Sequence, residues 1–293
     1  MRIAAVVVTY NRKECLLRCI TALRSQQGAV TDILVVDNAS TDGTAAALTE
    51  LMESGAILYR NTGANIGGAG GFNVGMRWAV ELGYDRLWVM DDDCIPDPDS
   101  LTALVAADRR LGGDYGFLSG IAYWKDGSPC LMNVQKTDLW HKLEDYTSPL
   151  VPVVMATFVS AFIPADRVRE VGLPIREFFI WSDDLEYTRR LSRRYPCYAV
   201  NGCRVLHAMR HNNKVNIATD SLDRLARYGY LYRNEVYVYR REGLLGCLYL
   251  FARVGLHLFK IWLRSPVKWK RMKVILSSFA AGWRFHPRIV EVG

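Results

Sequence analysis

The sequence lacks the cysteine patterns of disulfide frameworks and zinc sites. Its seven cysteines are an odd number, none form a Cys-x-x-Cys pair, and Cys15 and Cys19 stand one helical turn apart, as residues packed within a helix do. The N-terminus, MRIAAVVVTY, lacks the cleavage pattern of a signal peptide, and its β-branched residues predict a strand. We therefore expect a protein of the reducing cytoplasm.

The familiar glycine motifs of nucleotide sites are also missing. Residues 65–75, NIGGAGGFNVG, are dense in glycine, but they do not fit the Rossmann fingerprint and lack the Lys-Ser/Thr pair of a P-loop. Their backbone N–H groups could approach phosphates at a helix start, or the glycines could only allow a tight turn from strand to helix. No Ser-His-Asp arrangement stands out, so the sequence does not predict an enzyme nucleophile.

Positive charge exceeds negative charge only near the C-terminus. The chain has a net charge of +7, and the segment from Arg240 to Gly293 contains 11 Lys and Arg residues against 2 acidic residues. Such a block indicates a nucleic acid or an anionic membrane surface as partner. Residues 243–263, GLLGCLYLFARVGLHLFKIWL, are apolar enough to cross a bilayer, but four basic residues recur along one helical face: Arg253, His257, Lys260 and Arg264.

A membrane-spanning helix should not carry a basic stripe through its middle, whereas an amphipathic helix lying in the interface should. We expect the basic face, extended by Lys268, Lys270, Arg271 and Lys273, to reach anionic headgroups. The opposite face is apolar: Leu244, Leu248, Phe251, Gly255, Leu258 and Trp262. The alternatives are a helix packed on the rest of the protein and a subunit interface. No nucleic acid partner is expected, because the intervening residues are as much aliphatic as aromatic.

Strand and helix patterns alternate over the first 110 residues. Strands are predicted at 3–8, 32–36, 56–59 and 86–90, and helices at 13–25, 44–53, 72–82 and 100–110. Continuous apolar strands alternating with helices predict an α/β fold with a parallel sheet covered on both faces, where ligands bind at the carboxyl ends of the strands. Further strands are predicted at 117–124, 153–163, 197–200 and 204–207, with helices at 183–194 and 219–241. We expect one domain over residues 1–217 and a helical extension over 218–293.

The candidate site residues follow predicted strands. Thr9 and Asn11 end the first strand, and either could bind a ligand or simply shape a turn and cap a helix. Asp37 ends the second strand, where it could accept a hydrogen bond from a base or ribose, or belong to a capping network.

Two acidic clusters lie later in the sequence. Like charges about 4 Å apart repel by about 4 kcal/mol at an effective dielectric near 20, so the DDD run of LWVMDDDCIPDP, residues 87–98, predicts a positive partner unless it only caps a helix. In FFIWSDDLEYTRRL, residues 178–191, a carboxylate beside a Trp suits a general base facing a sugar, although Asp also favours helix N-termini. His207 could join carboxylates around a divalent ion or be structural.

Taken in order, VVVTYNR, VVDNASTDGT, NIGGAGG, an apolar strand ending in Asp-x-Asp, and an aromatic-Asp-Asp resemble the inverting GT-A nucleotide-sugar glycosyltransferases of family 2. The resemblance covers about residues 1–240. IWSDDLEYTRR, His207 and YRNEVYVYR are similar to bacterial galactofuranosyltransferases of cell-surface glycan synthesis, and the last of these also to rhamnosyltransferases. Ser182 departs from the pattern, since some relatives place the Trp directly before the acid pair and Trp181 is one residue off.

The resemblance implies a GT-A fold and a role for each candidate residue. Asp91, Asp93 and His207 would hold Mn²⁺ or Mg²⁺, and Asp184 or its neighbour Asp183 would be the base. Trp181 and Glu186 would line the acceptor and sugar pocket. The remaining residues would bind the nucleotide or the donor sugar: Thr9, Asn11, Arg12, Asp37, Asn65, Gly67 and Asp92.

The resemblance also implies the substrates and the location. UDP-galactofuranose is the favoured donor, dTDP-rhamnose is the alternative, and a lipid-linked glycan is the acceptor. The enzyme would be peripheral on the inner face of the cytoplasmic membrane, and a homo-oligomer is compatible with the sequence. A sugar nucleotidyltransferase would need a basic, Gly-rich loop where this chain has VTYNRKE, and a non-catalytic binding module would not need the second acid pair.

Overall fold

The computed structural model describes residues 1–213 and 215–292. The strands found there form one sheet: β1 (Ile3–Thr9), β2 (Asp32–Asp37), β3 (Leu58–Asn61), β4 (Arg86–Asp91), β5 (Cys94–Pro96), β6 (Leu118–Tyr123), β7 (Leu150–Pro152), β8 (Ala161–Pro164) and β9 (Tyr198–His207). The helices are α1 (Lys13–Arg24), α2 (Thr44–Ala47), α3 (Thr49–Glu53), α4 (Gly67–Glu81), α5 (Ser100–Arg110), α6 (Ala165–Val171), α7 (Asp183–Ser192), α8 (Leu225–Arg240), α9 (Gly243–Arg264) and α10 (Lys268–Trp283), with a 3₁₀ turn at Arg176–Phe178. The strand order is β3-β2-β1-β4-β8-β6-β9-β5, and β7 pairs with β9.

The first half of the chain forms the predicted parallel layer. Strands β1 to β4 pair in parallel, with β1 between β2 and β4. Every residue of β1 is buried, since alternate side chains enter two apolar clusters. Val6 packs with residues of α4 on one face, and Val7 packs with residues of α1 on the other. The α/β prediction with helices on both faces is confirmed here.

The second half is mixed rather than parallel. Strand β8 is antiparallel to both β4 and β6, while β5 and β7 are antiparallel to β9. The single strand predicted over 153–163 is wrong for most of its length, because only residues 161–163 belong to a strand, β8, which inserts between β4 and β6. Two other predicted strands, 197–200 and 204–207, join as β9, which changes register against β6 between Gly120 and Ile121.

Helix α4 begins at Gly67, earlier than the predicted residue 72, so its glycines form the first turns. Gly67 has φ +76°, and a Cβ there would overlap the carbonyl oxygen of Phe179. At Gly71 a Cβ would lie 2.5 Å from Cγ1 of Val8 in β1. These glycines thus let the helix approach the sheet and the Phe179 loop, which favours the tight-turn alternative.

The three C-terminal helices pack on one another around a separate apolar cluster that includes Tyr232 of α8, Ile261 of α9 and Ile275 of α10. The junction between α8 and α9 is tied to α7, because Arg189 donates to both carboxylate oxygens of Glu242 at 2.8 and 2.9 Å. The division of the chain at residues 217 and 218 stays a prediction.

Helix α9 has the predicted length, but two residues of its basic face turn inward. Arg253 turns inward and pairs with Glu235 of α8 at 2.9 and 3.0 Å, and His257 shares a 2.7 Å hydrogen bond with the Tyr232 hydroxyl. The prediction that these two residues reach outward to headgroups is therefore wrong. Large apolar side chains are exposed instead: Leu244, Leu245, Leu248, Phe251, Leu256, Phe259, Trp262 and Leu263. We call these eight residues the apolar face of α9.

Candidate active site

The two acidic clusters line one cleft of about 490 Å³ at the carboxyl end of β4. Strand β4 ends at Asp91, the chain turns through the next two acids, and β5 then pairs with β9. In this register Cys94 faces His207, which brings the imidazole beside Asp93. The cleft is lined by Arg12, Asp91, Asp93, Trp181, Asp183, Asp184 and His207, among others.

Arg12 and His207 compensate the first acid cluster. The Arg12 guanidinium donates to Asp92 Oδ1 at 3.1 Å and to Asp93 Oδ2 at 2.8 Å. His207 Nε2 lies 3.1 Å from Asp93 Oδ1, and its Nδ1 lies 2.9 Å from Asn133 Oδ1. The protein itself therefore supplies part of the positive charge that was expected beside the DDD run.

The pKa values of these groups differ because their partners differ. Burial alone would raise the pKa of Asp93, but the hydrogen bond and charge of His207, together with Arg12, lower it to about 2. Burial raises the pKa of Asp92 to about 6, although Arg12 opposes this. Burial and the neighbouring carboxylates of Asp93 and Asp92 raise the pKa of Asp91 well above its usual value. Burial would lower the pKa of His207, yet Asp93 raises it overall.

The donor atoms in the cleft suit a divalent cation. Within residues 1–213 and 215–292, the Asp91 carboxylate has no hydrogen-bond or ion-pair partner to satisfy it, and ligand atoms of Asp93, Cys94 and His207 lie within 4.8 Å of one another. Burial raises the pKa of the Cys94 thiol well above its usual value, which disfavours the thiolate needed for coordination. Carboxylates with an imidazole fit Mn²⁺ or Mg²⁺, so Asp91, Asp93 and His207 remain the candidate ligands.

The residues predicted to bind the nucleotide join loops at the same sheet edge, mostly through contacts with one another. Thr9 donates to Asp92 at 2.8 Å, and the backbone N–H of Thr41 donates to Asn11 Oδ1 at 2.7 Å. Asn65 Oδ1 accepts from the backbone N–H of Gly67 at 3.0 Å, an arrangement that starts α4.

Asp37 is fully buried at the end of β2. It accepts hydrogen bonds from the Ser40 backbone N–H at 2.8 Å and from the Tyr59 hydroxyl at 2.6 Å. This geometry favours the capping alternative for Asp37. Contact of Asp37 and the other loop residues with a donor stays a prediction.

The second acid pair begins α7 after a strained loop. Phe179, Trp181 and Ser182 all have positive φ, between 64° and 68°, which non-glycine residues rarely adopt. Burial, with the charge of Asp184, raises the pKa of Asp183, and burial raises that of Asp184. Asp184 is half-buried and accepts from the Leu185 backbone N–H at 2.7 Å.

Glu186 does not join this cleft. Its two carboxylate oxygens accept hydrogen bonds from Arg190 at 3.1 and 2.6 Å, one helical turn further along α7. Arg190 also donates to the carbonyl oxygens of Val171 and Leu173, so the ion pair fastens α7 to the end of α6. We therefore correct the prediction of a sugar-pocket role for Glu186, because its carboxylate is already paired with Arg190.

Asn234 of α8 is a site residue that the sequence analysis missed. Its amide is completely buried and donates to the carbonyl oxygens of Phe178, Ile180 and Trp181 at 3.0, 3.3 and 2.8 Å. These bonds hold the strained loop from which Asp183 and Asp184 project. The available signal was an Asn within the aromatic and apolar residues of YRNEVYVYR.

Comparison with known proteins identifies the α/β part. Residues 4–127 match the model of the family described as Glycosyl transferase family 2. This part of the chain is a family 2 glycosyltransferase domain. The family 2 domain covers β1 to β6 and therefore contains the first acid cluster, while the second acid pair lies beyond the matched residues.

Two named galactofuranosyltransferases are similar to this chain over a longer range. Galactofuranosyltransferase GlfT1 of Mycolicibacterium smegmatis is 28% identical over 201 residues, which cover 65% of this chain and 65% of that protein. The protein of the same name from Mycobacterium tuberculosis H37Rv is 27% identical and is covered over 64%. The match thus spans a little under two thirds of these relatives' length. Undecaprenyl-phosphate mannosyltransferase of Micrococcus luteus is 39% identical over 37% of this chain and 45% of its own.

Solved structures share the fold. The structure of GalNAc-T7 with UDP, GalNAc and Mn²⁺ has a TM-score of 0.62 at 15% identity and covers 82% of this chain and 48% of its own. Staphylococcus aureus TarS 1–349 in complex with UDP-GlcNAc has a TM-score of 0.58 at 12% identity and covers 96% and 80%. The GT-A fold expected for the family 2 domain is confirmed by these similarities.

We predict that Asn234→Ala lowers kcat by about 10- to 100-fold and lowers Tm, because the loop loses three hydrogen bonds to its carbonyl oxygens and can relax. Asn234→Asp keeps the side-chain volume but removes the N–H donors, so it should be at least as damaging. The measurement is steady-state kinetics of both variants together with thermal unfolding. Wild-type kcat in Asn234→Asp would mean that the residue only fills space.

Proposed function

We propose that this protein is a metal-dependent, inverting glycosyltransferase that transfers galactofuranose from UDP-galactofuranose to a lipid-linked glycan. The observation that carries the proposal is a single cleft lined by Asp91, Asp93 and His207 together with Asp183 and Asp184. A cation-binding set and a separate carboxylate that can act as a base are what a displacement at a sugar diphosphate requires. The choice of galactofuranose is supported by the similarity to two proteins named galactofuranosyltransferase.

The first acid cluster would hold the diphosphate end of the donor. Asp91, Asp93 and His207 are the proposed ligands of Mn²⁺ or Mg²⁺, which, when bound, stabilises negative charge on a leaving diphosphate. The similarly folded GalNAc-T7 structure contains UDP and Mn²⁺, which supports a divalent ion in this fold. Arg12 already bridges Asp92 and Asp93, and so limits their repulsion before a donor binds.

The second acid pair would activate the acceptor. An acceptor hydroxyl oxygen forms a bond to the anomeric carbon while the bond from that carbon to the diphosphate breaks, and the hydroxyl proton passes to Asp184. One displacement inverts the configuration and needs no covalent intermediate. Asp184 is favoured over Asp183 as the base because it is half-buried and open to the cleft, whereas Asp183 is buried.

The apolar face of α9 supports a membrane surface as partner. The helix has 22 residues and is long and apolar enough to cross a membrane by length and composition, and most of it is not buried inside the protein. Arg253 turns toward Glu235 of α8, and the eight residues of the apolar face are exposed along the length of the helix. We propose that it lies in the interface on the inner face of the cytoplasmic membrane, with the lysines of α10 near anionic headgroups.

The first test of the function is a donor panel. Purified protein is incubated with Mn²⁺, lipid-linked acceptors and UDP-galactofuranose, dTDP-rhamnose, UDP-galactose or GDP-mannose, and product masses are measured. We expect a hexose to be added from UDP-galactofuranose alone, and EDTA to abolish the transfer until Mn²⁺ is restored. Transfer of a deoxyhexose would reject the donor, and full turnover in EDTA would reject the metal. Binding of nucleotide sugars without transfer to any acceptor would favour a non-catalytic module.

We predict that Asp184→Asn lowers kcat by about 10²- to 10⁴-fold while the donor Kd changes little, because the base is lost but the diphosphate site is intact. The base must be ionised to accept a proton, and burial raises the pKa of Asp184 above the usual carboxylate value near 4. In the wild type, kcat/KM should therefore fall as the pH falls through this raised pKa. Asp183→Asn is the matched control. It should leave the acid limb near its wild-type position, because the pKa of Asp183 is raised to about 8 and that of Asp184 to about 6, so Asp183 is already neutral where Asp184 titrates. Activity of Asp184→Asn within tenfold of wild type would reject the assignment.

We predict that Leu248→Glu combined with Phe259→Glu weakens binding to phosphatidylglycerol vesicles by at least about tenfold, because two large apolar side chains of the α9 face become charged. Val30→Glu is the matched control, since Val30 is also an exposed apolar residue but lies between α1 and β2. Vesicle sedimentation measures the effect. Equal binding by the double variant and the Val30→Glu control would indicate that the apolar face of α9 does not contact the membrane.

A further inference from the structure

A second cavity, of about 730 Å³, adjoins the active-site cleft. It is bounded by α8, α9, the segment between β6 and β7, and residues 215–216. Lys136, Leu185, Glu235 and Arg253 line both spaces, so a ligand could extend from one into the other. Lys260 and His257 line the second cavity but not the cleft. We call this space the α9 cavity.

The lining of the α9 cavity is strongly basic. Four cationic side chains line it, namely Lys136, Lys142, Arg253 and Lys260, and Glu235 is the one acidic side chain among its lining residues in the described ranges. The carboxylate of Glu235 is already engaged by Arg253 through two hydrogen bonds. The lining residues of this cavity therefore carry a net positive charge, whereas four aspartates line the cleft beside it.

Two of these cations have no anionic partner. Over residues 1–213 and 215–292, no carboxylate lies within 4.0 Å of the ammonium groups of Lys136 or Lys260. Lys136 Nζ donates to the Tyr239 hydroxyl at 2.9 Å and lies 5.4 and 5.8 Å from the ring centroids of Tyr239 and Tyr249. Burial lowers the pKa of Lys136, which indicates that its charge is held at a cost that a bound anion would offset.

One side of the cavity reaches the apolar face of α9. Leu256 lines the cavity and is 50% exposed, and Ala252, one turn earlier, lines it as well and is also exposed. A ligand held by the lysines could therefore continue outward along an apolar surface. On the other side, Leu185 follows directly after the proposed base Asp184 and lines both spaces.

We infer that the α9 cavity binds the diphosphate of a lipid-linked acceptor, with the lipid chain leaving over the apolar face of α9 and the sugar reaching the cleft. The inference rests on the proposed function and adds to it a phosphate site distinct from that of the donor. A diphosphate with an apolar chain at one end and a sugar at the other matches the three surroundings in order: exposed apolar residues, unpaired cations, and the carboxylate pair. The donor diphosphate has its own place at Asp91 and Asp93.

The test begins with binding rather than activity. A short prenyl diphosphate is titrated into the full-length protein by calorimetry without UDP or a divalent ion, so that the donor site, which needs the ion to hold a diphosphate, does not contribute. We expect Lys136→Gln and Lys260→Gln each to weaken binding by about tenfold. The matched control Lys125→Gln removes an exposed lysine outside both cavities and should bind as the wild type does. Unchanged binding in both cavity variants would overturn the assignment.

Two further probes distinguish the source of the phosphate. Inorganic diphosphate should depend on the same two lysines but bind more weakly, because it has no apolar chain. Equal affinity for inorganic and prenyl diphosphate would overturn the lipid assignment in favour of a free anion. Phosphatidylglycerol vesicles should not displace the prenyl diphosphate when both supply the same concentration of phosphate. Displacement under this condition would mean that the cavity binds ordinary membrane headgroups.

Kinetics separates this inference from the proposed function. With the lipid-linked acceptor, Lys260→Gln should raise the acceptor KM by about tenfold and leave the donor KM unchanged. With an acceptor whose sugar is joined to an alkyl chain without phosphate, the variant and wild type should have the same KM. An increase in the donor KM instead would overturn the inference while leaving transferase activity established. If no donor supports transfer, the proposed function fails, but the lysine-dependent titration still decides the cavity assignment.

Discussion

Compensation of the negative charge at the end of β4 is the constraint on which the rest of the site depends. Three consecutive acidic residues stand at the end of a buried strand, and like charges about 4 Å apart repel by about 4 kcal/mol at an effective dielectric near 20. Arg12 and His207 reduce this repulsion from opposite sides, and Thr9 donates to Asp92. These contacts join the start of α1, the end of β1 and the end of β9, so the cluster holds together the edge at which the cleft opens.

The second half of the cleft is held from the C-terminal helices. A loop with three non-glycine residues at positive φ is stable only when its surroundings fix it, and Asn234 of α8 supplies three of the necessary hydrogen bonds. The next residue, Glu235, pairs with Arg253 of α9 and lines both the cleft and the α9 cavity. One turn of α8 therefore couples the acid pair to the helix proposed to contact the membrane.

The sequence predicted best what depends on local periodicity. Strands β1, β2 and β4 were recognisable because each is a continuous apolar run buried on both faces, and the acids at the end of β4 followed from their position. The region between β6 and β9 was harder, because its short strands pair with distant partners whose order a local pattern does not contain. For α9 the helical spacing correctly grouped Arg253 with His257, but spacing alone could not say that α8 would offer Glu235 to that side. Glu186 was misassigned for the same reason, since Arg190 one turn away takes its charge.

The net charge of a sequence segment is also a poor guide to which cavities its charged side chains line. The C-terminal segment is basic, yet Arg253 is neutralised by Glu235, while Lys136 contributes to the same cavity from a segment with no basic excess. The result is two adjoining spaces that share Lys136, Lys142 and Arg253, but four aspartates also line the cleft, whereas Lys260 also lines the α9 cavity. Under the proposed function both substrates carry a diphosphate. An acidic space retains a diphosphate only together with a cation, whereas a basic space retains it directly, so the two substrates are directed to different places by charge alone.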